Sequence, residues 1–487
     1  MKKLLLLITA VLVVGCSSKD IKQEREDILL NKEKITTEIL KPDNTLTLDK
    51  AIDISVSRNL DVKTKEMEYE IAKLDKRIAF GNFLPRLSLT YSRTMLDDNL
   101  KARALDTGLE DLPKSLSKLP LPPNLVAGIA GALPASLEAR VLDKDFSVFT
   151  VNAQLPIFVP STWFLYNART KGESISSLTK DLTVKMIKLQ TIGKYYYVLA
   201  LESEKEYLEK ELEATAQLKK NAELALKTGS ILEWEYERVS VYNDVKEHAL
   251  RENERELKIA KISLLNTLDL YPFSNLTLLK PESAKKGDLT LDTAIYEALK
   301  NSDLITIREE VQGVSKDVTK IAISNFLPQI ILTGGYVNTN AATLVNDNFF
   351  MGTLGGLFSI FNGFKDVNEY KKARIREKIA YVKKEQEITK VILETVNAYN
   401  QYSSAKEEMN IAANNFKAME GMLNQKKLER KTGFIDDWEY IQALADFEKA
   451  LSLKEKADFK YRVASATLDM LMEKSIFTKG DKNNENK

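Results

Sequence analysis

Asn82-Phe83-Leu84-Pro85 closes one stretch of this sequence, and Asn325-Phe326-Leu327-Pro328 closes another, letter for letter, 243 residues later. The same offset carries Leu46-Thr47-Leu48-Asp49-Lys50-Ala51-Ile52 onto Leu289-Thr290-Leu291-Asp292-Thr293-Ala294-Ile295. Farther along, Lys227-Thr228-Gly229 recurs as Lys431-Thr432-Gly433, and Trp234-Glu235-Tyr236 as Trp438-Glu439-Tyr440, both at an offset of 204. Four ordered blocks do not match twice by chance, so the chain is a tandem duplication. The offset falls by 39, which places extra residues of the first copy between Pro85 and Lys227. We delimit the copies as residues 46–280 and 281–473.

Each copy follows one plan. A helical segment is expected from about Leu48 to Asn82, and from about Leu291 to Asn325, each stopped where proline disfavours a helical residue before it. Strand-like sequence follows. Leu87, Leu89 and Tyr91 alternate with Ser88, Thr90 and Ser92; on the return Phe149, Val151, Ala153 and Leu155 alternate with Thr150, Asn152 and Gln154. An apolar face opposite a polar face at period two is what a membrane barrel strand presents, and a soluble β-hairpin carries the same pattern. In the second copy Ile330, Leu332 and Tyr336 lie on one face, interrupted by Gly334 and Gly335. Between the first pair of strands, residues 95–145 read as a long loop that holds five of the twelve prolines.

Long helices come next. No proline occurs from Ser161 to Tyr271, nor after Pro328, so continuous helix is permitted. Leu178, Leu182, Leu189, Ile192, Tyr196 and Leu199 repeat at three-, four- and seven-residue spacing, the stripe that packs helices side by side. A helix of roughly 65 residues would run roughly 100 Å. Gly229 and Gly433 stop these helices where a left-handed residue is wanted, and a second helix returns to about Leu268 and about Leu471. The expected fold is mainly α with a membrane β-barrel part. Four strands cannot close a barrel, since the smallest single-chain barrels have about eight, and open edges in lipid cost several kcal/mol per unsatisfied group. If these strands span a membrane, the chain must oligomerise.

The two ends read differently. Lys2 and Lys3 precede an apolar run from Leu4 to Val14, too short to span a bilayer; residues 1–15 read as a signal peptide. The run ends at Cys16, the only cysteine, followed by Ser17-Ser18. This resembles the lipobox of bacterial lipoproteins, which implies cleavage before Cys16, acylation of its thiol and, with no aspartate next to it, an outer-membrane destination. Two or more acyl chains anchor stably, at about 0.8 kcal/mol per buried methylene. An ordinary signal peptide containing a cysteine is the alternative. Residues 16–45 read as an extended linker and 474–487 as a disordered tail. Formal charge is +1, from 71 basic and 70 acidic side chains, which gives no basic excess for a nucleic-acid partner. A single histidine, His248, beside Lys246, Glu247 and Arg251, reads as a solvated helix face. No disulfide framework or cysteine metal site is available, so we expect no enzyme and no cofactor beyond a covalent lipid.

In their duplicated order, the Leu-Asp-x-Ala-Ile start, the Phe-Leu-Pro junction and the Lys-Thr-Gly turn with an acid six residues on resemble the TolC-like outer-membrane factors from about Leu46 to Met472. The resemblance implies a homotrimer. Its long helical hairpins form an α-barrel, and its strands join in a 12-stranded β-barrel in the outer membrane. It also implies docking with a periplasmic adaptor and an inner-membrane transporter, in an exit duct for small molecules. The same channel serving type I protein secretion is one alternative; a non-conducting periplasmic coiled-coil tether is another. By resemblance, the turns Lys227, Thr228, Gly229, Ser230 and Lys431, Thr432, Gly433, Phe434 contact the adaptor. Glu235 and Glu439 stand where family members commonly carry an aspartate that narrows the entrance. Three copies of Glu439 would form a carboxylate ring, a device for selecting cations. Trp234 and Trp438 replace smaller apolar residues and are expected to anchor packing between adjacent hairpins. Gln442 and Ile435 replace a second acid and a basic latch partner found in some members, which puts the latch in doubt.

Overall fold

The structure, a computed structural model, describes residues 21–40, 44–106, 114–115, 118, 122–125, 136–281, 289–340, 346–435 and 437–473. The signal peptide, Cys16 and the tail 474–487 lie outside the described residues. The described chain divides into two units, one built from residues up to 72 with 172–312 and from 379 onward, the other from 73–171 and 313–378.

The second of these units holds a four-stranded sheet. β2 (Arg86–Met95), β5 (Asp145–Phe158), β7 (Gln329–Thr339) and β8 (Asn348–Leu357) lie in that order, every neighbouring pair antiparallel. The expected two strands per copy are therefore present and joined, with β5 and β7 in the middle. Residues 95–145 are not only loop: β3 (Leu100–Asp106) and β4 (Ser136–Leu142) pair as a separate antiparallel ribbon, a correction to the reading of this stretch. Much of what lies between them falls outside the described residues.

In the other unit, four helices form two hairpins. α4 (Pro160–Lys227, 68 residues) enters this unit at Gly172, and α5 (Glu233–Thr267) returns. α8 (Lys365–Lys431, 67 residues) and α9 (Asp437–Leu471) repeat the arrangement. Tyr195, Leu199, Leu264, Leu265 and Leu268 bury completely or nearly so in one core, with Leu46, Leu48, Ile52 and Leu278 from outside the hairpin. The Tyr195 hydroxyl lies 2.7 Å from the Leu46 carbonyl and 2.6 Å from that of Leu279, and accepts the Leu279 N–H at 3.1 Å. It thereby clasps β1 (Thr45–Leu46) and β6 (Thr277–Leu278), which pair in parallel. A smaller core sets Ala294 against Ala398, Tyr402 and Leu468.

The structure corrects two further expectations. Residues 16–45 are not an extended linker where described: α1 (Ile21–Leu40) is helical. It is held by Lys32, 2.6 Å from Asp269, by Thr36, whose hydroxyl accepts the Tyr271 N–H at 2.8 Å, and by buried Leu40. The segment from Leu48 to Asn82 is two helices, α2 (Leu48–Arg58) and α3 (Leu60–Gly81). Asn59 breaks them at ψ 133°, because its side-chain oxygen caps α3 through the N–H groups of Asp61 (2.9 Å) and Val62 (3.3 Å). Its equivalent Ser302 separates α6 (Leu291–Asn301) from α7 (Asp303–Ser324), accepting the Ile305 N–H at 3.3 Å.

The duplication holds at the level of single interactions. Asp269 and Glu473, again 204 apart, both adopt positive φ after their return helices. Asp269 takes Lys32 and Arg58; Glu473 takes Lys185 and accepts the Asp303 N–H. Each acid ties the end of a hairpin to the break between two short helices of its own copy.

Candidate functional site

Two features carry chemistry that a single chain does not use up: the sheet, and the turns of the hairpins. Register aligns the apolar positions of all four strands. Leu89 faces Val151, which faces Tyr336, which faces Phe350; Leu155 faces Leu332, which faces Leu354. One face of the sheet is therefore apolar from edge to edge, and on the edge strands it is open: Leu87 is 75% exposed and Phe350 83%. The opposite face carries Ser88, Asn152, Thr90 and Thr150 in the first copy's strands. Gly334 and Gly335 do not interrupt β7. Gly335 admits close approach of β5, since a Cβ there would lie 2.9 Å from both the Val151 carbonyl and the Asn152 side chain.

Among the described residues the outer edges of β2 and β8 pair with no strand. Each is 10 residues long, so roughly five residues per edge aim N–H and C=O away from the sheet. In lipid, that many orphan groups at several kcal/mol each would cost tens of kcal/mol, beyond the about 5–15 kcal/mol that holds an ordinary domain together.

The turns are built alike. Gly229 has φ +73° and Gly433 φ +74°. The Ser230 N–H donates to the Ala225 carbonyl (2.8 Å) and the Phe434 N–H to that of Glu429 (3.0 Å), the six-to-one bond that closes a helix around a left-handed residue. Lys227 pairs with Glu223 at 2.7 Å, and Thr228 shares a hydrogen bond with Ser230. Phe434 is 83% exposed. In the second hairpin the Arg430 guanidinium lies 4.5 Å over the Tyr440 ring, a contact the sequence reading missed although Arg430 directly precedes Lys431.

The expected entrance acids differ from each other. Glu235 reaches back to accept the Leu232 N–H at 2.9 Å, which is the third-position acid of a helix start. The Glu439 carboxylate stands 3.8 Å from Lys426. Trp234 is 56% exposed, whereas Trp438 is half-buried. Among the described residues no group of three or more His, Cys, Asp or Glu could hold a metal, and no helix is long and apolar enough to cross a membrane. His248 is exposed, 3.9 Å from Glu252.

Comparison with known proteins bears on both features. Residues 294–472, most of the second copy, match the family model for outer membrane efflux proteins. Over these residues the chain is similar to outer membrane efflux proteins. No curated protein sequence matches it. Among solved structures, the chain is similar to the CmeC outer membrane channel of Campylobacter jejuni, with a TM-score of 0.67 and 14% identity over 88% of this chain and 85% of that one. It is similar to the outer-membrane channel OprN (0.67, 12%, covering 91% and 93%) and to the outer membrane protein VceC of Vibrio cholerae (0.64, 13%, covering 88% and 97%). At such identities the likeness establishes the fold, and it spans both copies where the family model covers one.

Proposed function

We propose that three copies of this chain close into one outer-membrane channel, the exit duct of an export assembly whose energy comes from an inner-membrane transporter joined through a periplasmic adaptor. The observation that carries this reading is the sheet with two unpaired edges. Three copies supply twelve strands from a 4-stranded unit, and antiparallel closure of β8 on the next β2 satisfies every edge group at once. The apolar face then meets lipid and the more polar face lines the lumen. The hairpins, whose left-handed glycine turns present Ser230 and Phe434, serve as the adaptor contact. Acylated Cys16 anchors the start of the mature chain. Small molecules are the cargo, and the channel performs no chemistry on them.

The test is the mass of the detergent-purified protein together with its current in a planar bilayer. Three chains per particle and stepwise conductance are expected. A monomer that stays folded without detergent and carries no current would overturn the reading and favour a periplasmic tether.

A further inference from the structure

The two copies differ in how they treat the segment that follows their second strand. At the end of β5, Phe158 meets Trp163 (5.7 Å between ring centroids), and Trp163 and Tyr166 meet Phe83 (6.4 and 6.2 Å), three residues before β2. Tyr166 also meets Phe80 at 6.1 Å. Val159, Thr162 and Leu165 share one cavity with Asn82, from the stretch preceding β2, and with Ile321, from the helix preceding β7. The segment after β5 thus has a helix end on either side, because β5 lies between β2 and β7.

After β8 the situation is one-sided. Phe358, Ile360, Phe361 and Phe364 are all exposed, Ile360 at 88%, and Phe361 contacts Phe364 alone among the aromatic rings of the described residues. Among the described residues β8 has β7 on one side and no strand on the other. The register shows what is missing. Arg86, Gln154, Thr333 and Thr353 form one row of partners across the sheet. β2 begins on that row, whereas β8 runs four residues past it, to Leu357. This stagger is the shear of tilted strands in a closed barrel. Carried one strand further, it brings the first residues of a neighbouring β2 beside the last residues of β8. The chain leading into β2 and the strand's own start offer matching surface, for Phe80 and Leu84 are each about half exposed and Leu87, in β2, more so.

We infer that residues 358–364 form an aromatic clasp that seats on Phe80, Leu84 and Leu87 of the adjacent copy, below the β8–β2 seam. This rests on the ring proposed above and adds the surface that sets its register: the strands supply pairing, which alone can slip, and the clasp supplies side chains that fit in one position only. The occupant is a second copy of this chain, because the stagger of the register carries the next β2 to the end of β8.

The experiment is thiol cross-linking of detergent-solubilised protein carrying Phe361→Cys with Leu84→Cys, using a short bismaleimide. Parallel samples carry either substitution alone, or the seam pair Met351→Cys with Ser92→Cys. Covalent dimers and trimers are expected for both pairs and from neither Phe361→Cys nor Leu84→Cys alone. If the seam pair links and the Phe361/Leu84 pair does not, the clasp is wrong while the ring stands. If neither pair links and the particle has the mass of one chain, the ring fails and takes the clasp with it. A Phe361→Trp variant separates protein from lipid. Its added fluorescence should be quenched no more by brominated phospholipid than that of the parent protein, and strong quenching would assign the segment to the bilayer instead.

Discussion

Replacing Gly229 or Gly433 isolates one physical effect. Both glycines adopt φ near +74°, and a Cβ built on either meets no atom within 4 Å. A Cβ there overlaps nothing, so the main cost is backbone strain. An L-residue in the left-handed region costs about 1–2 kcal/mol, and asparagine less because its side chain bonds locally. A loss of that size raises the open fraction of the turn by a factor of about 5–30. Opening breaks the bonds from the Ser230 N–H to Ala225 and from the Phe434 N–H to Glu429. Exchange of those two amides, followed by mass spectrometry, should therefore accelerate by about that factor in Gly229→Val and Gly433→Val, and by clearly less in Gly229→Asn and Gly433→Asn. If the two turns act independently, the two effects add in the double variant. If the turns are the adaptor contact, export should fall in the same order, with the particle mass unchanged. Equal acceleration by valine and asparagine, or none by either, would refute the assignment of strain to these turns.

Three further outcomes are expected. Tyr195→Phe removes a hydroxyl that three backbone groups of the Leu46 and Leu279 region approach; it should cost about 1–3 kcal/mol, read as a lower denaturant midpoint. Lys185→Met should cost about 1–2 kcal/mol at neutral pH, a figure kept small because the lysine is partly solvated. In the parent, burial holds the Glu473 carboxyl above its usual range, with Lys185 opposing that rise and Asp303 reinforcing it. A raised acid favours the folded state more as pH falls through its folded value toward its unfolded one, so acidification from neutral to about pH 5 should restore stability, and more so in Lys185→Met. A variant that loses stability on this acidification would contradict the sign. Glu439→Ala should raise single-channel conductance or lessen cation preference, whereas Glu235→Ala should cost about 1 kcal/mol of helix capping and leave the current alone.

The plan of the chain was legible because its signals are repeated and physical. Two Phe-Leu-Pro junctions, two glycine stops and a period-two alternation located β2, β5, β7 and both hairpins, while β8 followed only from the duplication. Errors arose where tertiary contacts override local pattern. Residues 21–40 look like a polar tether, yet Lys32 and Thr36 find Asp269 and Tyr271 more than 200 positions away, which no window of sequence displays. The break at Asn59 did leave a trace: Asn59 and Ser302 are capping residues at equivalent positions, each with an acid within two residues, and reading them as helix starts would have divided both segments. Trp234, expected to anchor packing between adjacent hairpins, is 56% exposed within its own chain.

That exposure follows from the duplication itself. Two copies within one chain can cover only the faces that lie between them. Among the described residues, the parts that the proposed ring would cover are bare: the outer edges of β2 and β8, the aromatic segment after β8, and Trp234 on the first hairpin. These bare parts occur in both units, and a single arrangement, a ring of like chains, accounts for each of them without a separate cause. A soluble hairpin protein would have blunted such edges with charge or proline. Instead β2 and β8 keep apolar side chains at Leu87, Leu89, Phe350 and Leu354, as strands do whose missing partner is another strand of the same kind and whose solvent on one side is lipid.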